Sequence, residues 1–241
     1  MNRPERRNAF NDRQYDDLRD ALADAQENEE VCAVVITGAG GAFTGGQDLS
    51  EMRVVDPDGD NPHGFIPFID RLAAFDKPLI AAVNGVAVGI GVTMLLHCDI
   101  VYVAETARLR APFVSLGIVP EAGSSLLLPL ILGPQRAAEI LYTSEWLDAE
   151  RAVELGLAAA SFPDEELLGR ALAKAHEIAE QPLAALRATK RLLLAARADA
   201  LAAARRREDE VMLTRIGSPE NLEAIAAFRE KRKPDFRRLG K

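Results

Sequence analysis

The chain has 241 residues and balances 29 Lys and Arg against 37 Asp and Glu, a formal net charge of −8, so no overall basic field exists to hold nucleic acid. It is long enough to bury a core without disulfides or a structural metal, and Cys32 and Cys98 each lie inside an apolar run, the pattern of buried thiols in a reducing compartment. The polar start MNRPERRNAFNDRQ has no apolar leader and no run of about 18 apolar residues occurs, so neither a signal peptide nor a membrane span is expected, and the chain reads as soluble and cytoplasmic.

From Asp12 to Asn28, the residues Tyr15, Leu18, Ala21, Leu22 and Ala25 recur at helical spacing, which predicts a helix with one apolar face. Val31 to Thr37 is a continuous β-branched run closed by Gly38, read as a strand covered on both faces. The next stretch is too rich in glycine to be regular until Asp48, after which a short helix is expected, and 56–64 reads by composition as a mobile loop. A helix around Phe65 to Phe75 leads through Lys77 and Pro78 into a buried strand, LIAAVNG. There, VAVGIGVTMLLHCD carries glycines straight into an apolar helix, and Asp99 to Ala104 forms a third strand.

The repeating unit of strand, glycine turn and helix predicts an α/β fold with functional backbone groups at strand ends. An aromatic content of 5% disfavours a β-sandwich. After the strand-like Ala158 to Phe162, Asp164 to Glu180 and Pro182 to about Ile216 read as helices, with Pro182 in a first helical turn. Ser218 caps and Pro219 opens a last helix that stops ahead of Pro234. Residues 1–160 read as a core and 161–241 as a helical extension whose long apolar stripes are expected to pack against a neighbouring subunit.

Several motifs fail on their own requirements. The segment Gly38-Ala39-Gly40-Gly41-Ala42-Phe43 ends in Phe where a dinucleotide loop needs glycine, and Gly40 to Gly45 is followed by Gly46-Gln47 where a P-loop needs Lys-Ser/Thr. The acidic run Asp56-Pro57-Asp58-Gly59-Asp60 puts glycine too early for a calcium loop, with Pro67 at the place of its bidentate Glu. Gly123-Ser124-Ser125-Leu126 lacks the second glycine of a serine-hydrolase elbow. Arg205-Arg206-Arg207 runs directly into Glu208-Asp209-Glu210, a salt-laced helix surface rather than a nucleic-acid patch. His63, His97 and His176 have no spacing that would bind a metal, so no metal site is expected.

Two glycine clusters remain: Thr44-Gly45-Gly46-Gln47-Asp48-Leu49 after one strand, and Asn84-Gly85-Val86-Ala87-Val88-Gly89-Ile90-Gly91 at the opening of a helix. Either alone is a tight turn. Together they offer unpaired backbone N–H groups and the positive end of a helix dipole, and two amides aimed at one point make an oxyanion hole.

With these motifs in order, NRPERRNAF, VVITGAGGAFTGGQDLSEM, KPLIAAVNGVAVGIGVTMLLHCDIVYVAETARL and LGIVPEAGSSLLLPLILG, the chain resembles the enoyl-CoA hydratase/isomerase, or crotonase, superfamily from Asn2 to about Pro163, and FREKRKPDF near the end is also typical. The resemblance implies a crotonase-like spiral of ββα turns followed by a helical trimerisation region, homotrimers or hexamers, and an acyl-CoA thioester substrate. No separate cofactor is implied, since coenzyme A is part of the substrate. By position, the two oxyanion-hole amides fall on Gln47, after Gly46, and on Ile90, after Gly89. Removing a proton beside a thioester carbonyl builds an enolate, and losing one donor to its oxygen typically costs ~10²–10³ in rate.

Hydratases of this family use two glutamates, and those positions here are Thr93 and Phe113, neither of which moves a proton. The segment Pro120-Glu121-Ala122-Gly123-Ser124-Ser125 instead resembles the peroxisomal-type enoyl-CoA isomerases, whose single catalytic glutamate matches Glu121. One carboxyl suits a shift of a double bond from β,γ to α,β, which needs no water. A plainer role for Glu121 is to satisfy orphan amides at the start of the apolar helix that follows. Arg6, Arg7, Asn8 and Ala9 match the segment that lines CoA, Leu49 and Phe113 would join the substrate pocket, and Arg53 or Lys231, Arg232 and Lys233 could meet CoA phosphates. Asp48 and Asn84 would brace the loops, although Asp48 also stands among the substrate-facing positions. Family members usually carry a further strand or hairpin before NRPE, and without it a sheet edge would lie uncovered. The resulting expectation is an isomerase. Its alternatives are an enoyl-CoA hydratase using Glu121 and a catalytically silent acyl-CoA-binding homologue.

Overall fold

The computed structural model describes residues 1–48 and 64–239. The expected short helix after Asp48, the loop over 56–63, Leu49, Arg53 and His63 lie outside the described residues. In chain order the elements are α1 (Asp12–Glu27), β1 (Val34–Thr37), β2 (Ala42–Thr44), α2 (Phe65–Ala74), β3 (Leu79–Val83), β4 (Val86–Val88), α3 (Ile90–Thr93), β5 (Ile100–Ala104), β6 (Arg108–Arg110), α4 (Ser124–Leu132), α5 (Pro134–Thr143), β7 (Trp146–Asp148), α6 (Ala149–Glu154), β8 (Ala160–Phe162), α7 (Asp164–Ala179), α8 (Leu183–Ala195), α9 (Ala198–Arg215) and α10 (Pro219–Arg229).

Strands β1 to β6 alternate between two four-stranded sheets, ordered β1-β3-β5-β8 and β2-β4-β6-β7, after which β7 joins β6 in the second sheet and β8 returns to the first. Each turn of the chain therefore lays one strand on each sheet before a helix returns it, a ββα spiral. All pairs are parallel except β6 with β7, where Leu109 lies opposite Leu147. The second sheet is the one that sequence periodicity missed. Its strands are three residues each, too short for an alternating pattern to show, and β2 and β4 sit inside the glycine-rich stretches read as irregular or as the start of a helix.

Burial follows position in the sheet. Every residue of the inner strand β3 is buried, whereas β1 is an edge strand with only Ile36 buried, so the two-sided cover suggested by its β-branched run is not found. Phe10, Tyr15, Phe43, Phe68 and Phe75 fill the core beside β3, with Phe10 and Tyr15 rings 4.5 Å apart.

The helical end is anchored by ions. Lys190 of α8 donates to the Lys77 carbonyl at 2.7 Å and to Asp99 at 2.8 Å, and Arg187 and Arg191 both reach Asp76. Pro182 is the cap residue before α8 rather than within its first turn, because its carbonyl accepts from Ala185 and Leu186. Ser218 accepts from the Asn221 amide and Pro219 opens α10, as its sequence predicts. Cys32 and Cys98 are unbonded and only half-buried as residues. The Cys98 thiol nevertheless lies against the Met94 carbonyl, and burial pushes its pKa up to about 12.

Candidate active site

The first glycine loop continues β2. Phe10 donates to the Gly46 carbonyl at 2.7 Å and accepts from Asp48 at 2.8 Å, a parallel bridge to Gln47 that leaves the Gln47 N–H on the opposite side of the ladder. Gly46 is required twice over: its φ is +91°, and an added Cβ would meet the Val88 carbonyl oxygen at 2.8 Å. The Gln47 side chain is turned by Tyr15, whose buried hydroxyl donates to Gln47 Oε1 at 2.9 Å.

The second loop ends β4. Gly89, at φ +56°, takes the chain from strand into α3, and its carbonyl accepts from Val92 and Thr93. Ile90 is then the first residue of α3, where amides have no acceptor within the helix. A Cβ on Gly91 would strike Thr44 Cγ2 at 2.6 Å. Gly46 thus lies against Val88 and Gly91 against Thr44, so two clusters some forty residues apart in sequence sit side by side.

Glu121 stands in the turn before α4. That turn is wound through left-handed conformations at Ala122 (φ +59°) and Gly123 (φ +77°). Ser124 closes it by donating its hydroxyl to the Glu121 carbonyl at 2.6 Å. The plainer role for Glu121, capping α4, is taken by another residue: Glu208 of α9 accepts from the Gly123 amide at 2.6 Å and from the Ser125 amide at 2.8 Å. Among the described residues nothing donates to or ion-pairs with the Glu121 carboxyl. Burial pushes its pKa up to about 8, and the negative charges of Glu208 and Asp209 push the same way.

Two connections tie this turn to the glycine loops. The Tyr15 phenol is raised well above its ordinary range by burial and then by the Glu121 charge, so the tyrosine that orients Gln47 also lies within electrostatic reach of the acid. His97 ends the 3-10 turn Met94–His97 that continues α3, and its Nε2 lies 2.8 Å from the Ala122 carbonyl. Burial lowers the His97 pKa to about 4, so the neutral ring donates from Nε2.

The remaining predicted residues fall as follows. Thr93 is fully buried and Phe113 almost so. Arg6 and Arg7 are exposed at the end of the 3-10 turn Pro4–Arg6, while Arg7 and Ala9 serve through backbone carbonyls that accept from Gly45 and Arg3. Asn8 is buried and ties Ala39 and Ala42 together. Asp48 pairs with Arg3 at 3.3 Å and so braces the first loop, while Asn84 bonds Thr37, Gly38 and Gly40 and ties the start of the second cluster to the turn between β1 and β2. Arg232 is paired with Glu223 and Glu230, which leaves Lys231 and Lys233 as the uncommitted cations of that cluster among the described residues.

Sequence reasoning missed Glu208, Tyr15 and His97 as members of this neighbourhood. For Glu208 a signal was present: it shares a helical face with Leu201 and Ala204, both buried, and a carboxylate on an apolar stripe needs a partner.

The sequence profile of the family described as Enoyl-CoA hydratase/isomerase matches residues 1–238. The 1,2-epoxyphenylacetyl-CoA isomerase of Escherichia coli is 35% identical over 98% of this chain and 92% of its own length, and the 2,3-dehydroadipyl-CoA hydratase of the same organism is 35% identical over 98% and 93%. Among solved structures, an enoyl-CoA hydratase/isomerase from Pseudoalteromonas atlantica superposes with a TM-score of 0.93 at 37% identity, covering 98% of this chain and 94% of that one. With two glycine loops side by side on a ββα spiral, a full-length profile match and that superposition, the chain belongs to the enoyl-CoA hydratase/isomerase family, and its fold is that of a crotonase.

Proposed function

We propose that the protein is an enoyl-CoA isomerase that moves a β,γ double bond to the α,β position of an acyl-CoA thioester. The family acts on acyl-CoA thioesters, and relatives at the same 35% identity are named for an isomerase and a hydratase, so overall likeness does not choose between them. One observation carries the choice: among the described residues the neighbourhood of the glycine loops holds a single uncommitted carboxyl, Glu121, while the two places where a hydratase keeps its acids hold Thr93 and Phe113.

In this reading the thioester oxygen sits between the Gln47 and Ile90 N–H groups. Ionised Glu121 removes a proton from the carbon beside the thioester, and the electron pair spreads into the enolate that the two amides stabilise. The protonated carboxyl then returns the same proton two carbons further along, which leaves the double bond conjugated and consumes no water. A carboxyl whose pKa is about 8 suits both steps, because its conjugate acid holds the proton long enough to deliver it. No cofactor is needed, since the thioester itself acidifies the carbon.

Assembly as a homotrimer or hexamer is part of the proposal, supported by exposed apolar side chains on the helical end, including Leu192, Leu213 and Phe228. A cytoplasmic location is supported by the two unbonded thiols. Among the described residues no helix is long and apolar enough to cross a membrane.

The test is a paired assay with a β,γ-enoyl-CoA and an α,β-enoyl-CoA, following absorbance of the conjugated thioester. Conjugation rising from the first with none lost from the second is expected. Loss of conjugation from the second would make the protein a hydratase, and silence in both, with acyl-CoA binding by calorimetry, would make it a binding homologue.

A further inference from the structure

Glu208 is 6% exposed, comes from a helix far from the catalytic turn in sequence, and spends both carboxylate oxygens on amides within four residues of Glu121. The start of α4 gathers backbone N–H groups that attract a carboxylate, and Glu121 is the acid nearest to it along the chain. If those amides bound Glu121, its charged form would be stabilised and its ability to take a proton weakened. Glu208 holds them instead. The fit is specific, because a Cβ on Gly123 would strike Leu201 Cδ1 of α9 at 2.2 Å, so the α4 turn is seated directly on the helix that delivers Glu208.

We propose that Glu208 is a positioning residue: by occupying the Gly123 and Ser125 amides it keeps the Glu121 carboxyl uncapped and free to carry the proton of the isomerisation. This inference rests on the reading of Glu121 as the base. Two carboxyls at one helix start are thereby given different roles, one a bound anion and the other a proton carrier. Burial raises the proton affinity of Glu208, but its amide hydrogen bonds oppose that, whereas every influence on Glu121 raises it. The groups facing this junction are Tyr15 of α1, itself under the influence of Asp12, neutral His97 after α3, and Glu208, Asp209 and Arg205 of α9, the last paired with Asp70 of α2.

Carbon-13 carboxyl titration reads Glu121 without any turnover, its signal identified by its loss in Glu121→Gln. In Glu208→Gln the Glu121 titration is expected to move to lower pH, by on the order of tenfold in proton concentration, as a neighbouring negative charge is lost and an amide becomes available. The kcat for a β,γ-enoyl-CoA should fall ~10-fold while KM stays within about 3-fold, since substrate binding does not use this carboxylate. Glu208→Asp keeps the charge and retracts it by one methylene, so the same changes should appear in weaker form, a ranking opposite to that of a cap valued for its shape alone. A Glu121 titration that stays put in Glu208→Gln overturns the proposal, as does a rise in KM that accounts for the loss. Should Glu208→Gln not fold, an unmoved titration in Glu208→Asp overturns it instead. If Glu121→Gln keeps full turnover, the isomerase reading fails by itself, while the titration still decides whether Glu208 controls Glu121.

Discussion

The glycine loops after β2 and β4 are held largely by main chain, with Thr44 and Asp48 as side-chain braces of the first: Gly46 abuts the Val88 carbonyl, Phe10 pairs across Gln47, and Gly89 turns the strand into α3. The turn carrying Glu121 is held largely by side chains from elsewhere, His97 on the Ala122 carbonyl and Glu208 on two amides. Fixed donors need no titrating group and work unchanged at any pH, so main chain suffices for them. A proton carrier must have its affinity set, and only side chains bring the burial and charge that set it.

Replacing the acid separates the halves most sharply. Glu121→Gln should lower turnover of a β,γ-enoyl-CoA by ~10²–10⁴ while acyl-CoA binding, measured by calorimetry, persists. The same variant has a stability signature of definite sign. The folded chain holds the Glu121 proton more tightly than an ordinary carboxylate, so that contribution is complete below pH 4.5 and is lost as pH rises through about 8. Melting curves of wild type and Glu121→Gln should therefore lie close together near about pH 5, separate progressively as pH rises, and stand furthest apart from about pH 8 upward, with the variant the more stable. Curves that stay parallel across that range would mean that Glu121 titrates normally.

Gly46→Ala attacks the main-chain half. The new Cβ meets the Val88 oxygen at 2.8 Å from a backbone at φ +91°, so the loops must part. Turnover should fall ~10²–10³ through the displaced donor, and stability by about 1–3 kcal/mol. The apparent pKa of the pH–rate profile should stay where it is. A shift in that profile would show that the two halves are not separable.

The smallest effect belongs to His97. Its folded pKa of about 4 lies below the ordinary 6.5, so the stability it confers is present above 6.5 and is lost as pH falls through about 4. His97→Gln keeps a donor for the Ala122 carbonyl and removes the titration. Wild type should thus lose more of its melting temperature than the variant between about pH 7 and pH 4. Equal losses would assign acid sensitivity to other groups.

Much of this was legible in the sequence for definite reasons. Helix α1 announced itself by the spacing of Tyr15, Leu18 and Leu22, and α10 by Ser218 and Pro219, because these signals lie within one helical turn. The glycine clusters were visible because only glycine serves where Gly46 and Gly89 sit. Strands β2, β4, β6 and β7 were not, since three residues cannot show a period and their pairing is non-local. Tyr15 looked like one more apolar position on α1, and nothing local told that its hydroxyl reaches Gln47. Glu208 was hidden where three arginines run into three acids, although its place beside Leu201 and Ala204 marked it as inward-facing.

The reach of α9 across the molecule also orders events in time. A chain made from its N-terminus brings out residues 121–132 well before residue 208, and domains begin to fold from the part made first. The Gly123 and Ser125 amides can find Glu208 only after a further 83 residues beyond Ser125 have been made, on the order of seconds later. The two glycine loops draw their partners from Phe10, Thr44, Val88 and Arg110, all made before the acid-bearing turn. A nascent chain therefore holds the partners of the two glycine loops before it holds those of the Glu121 turn.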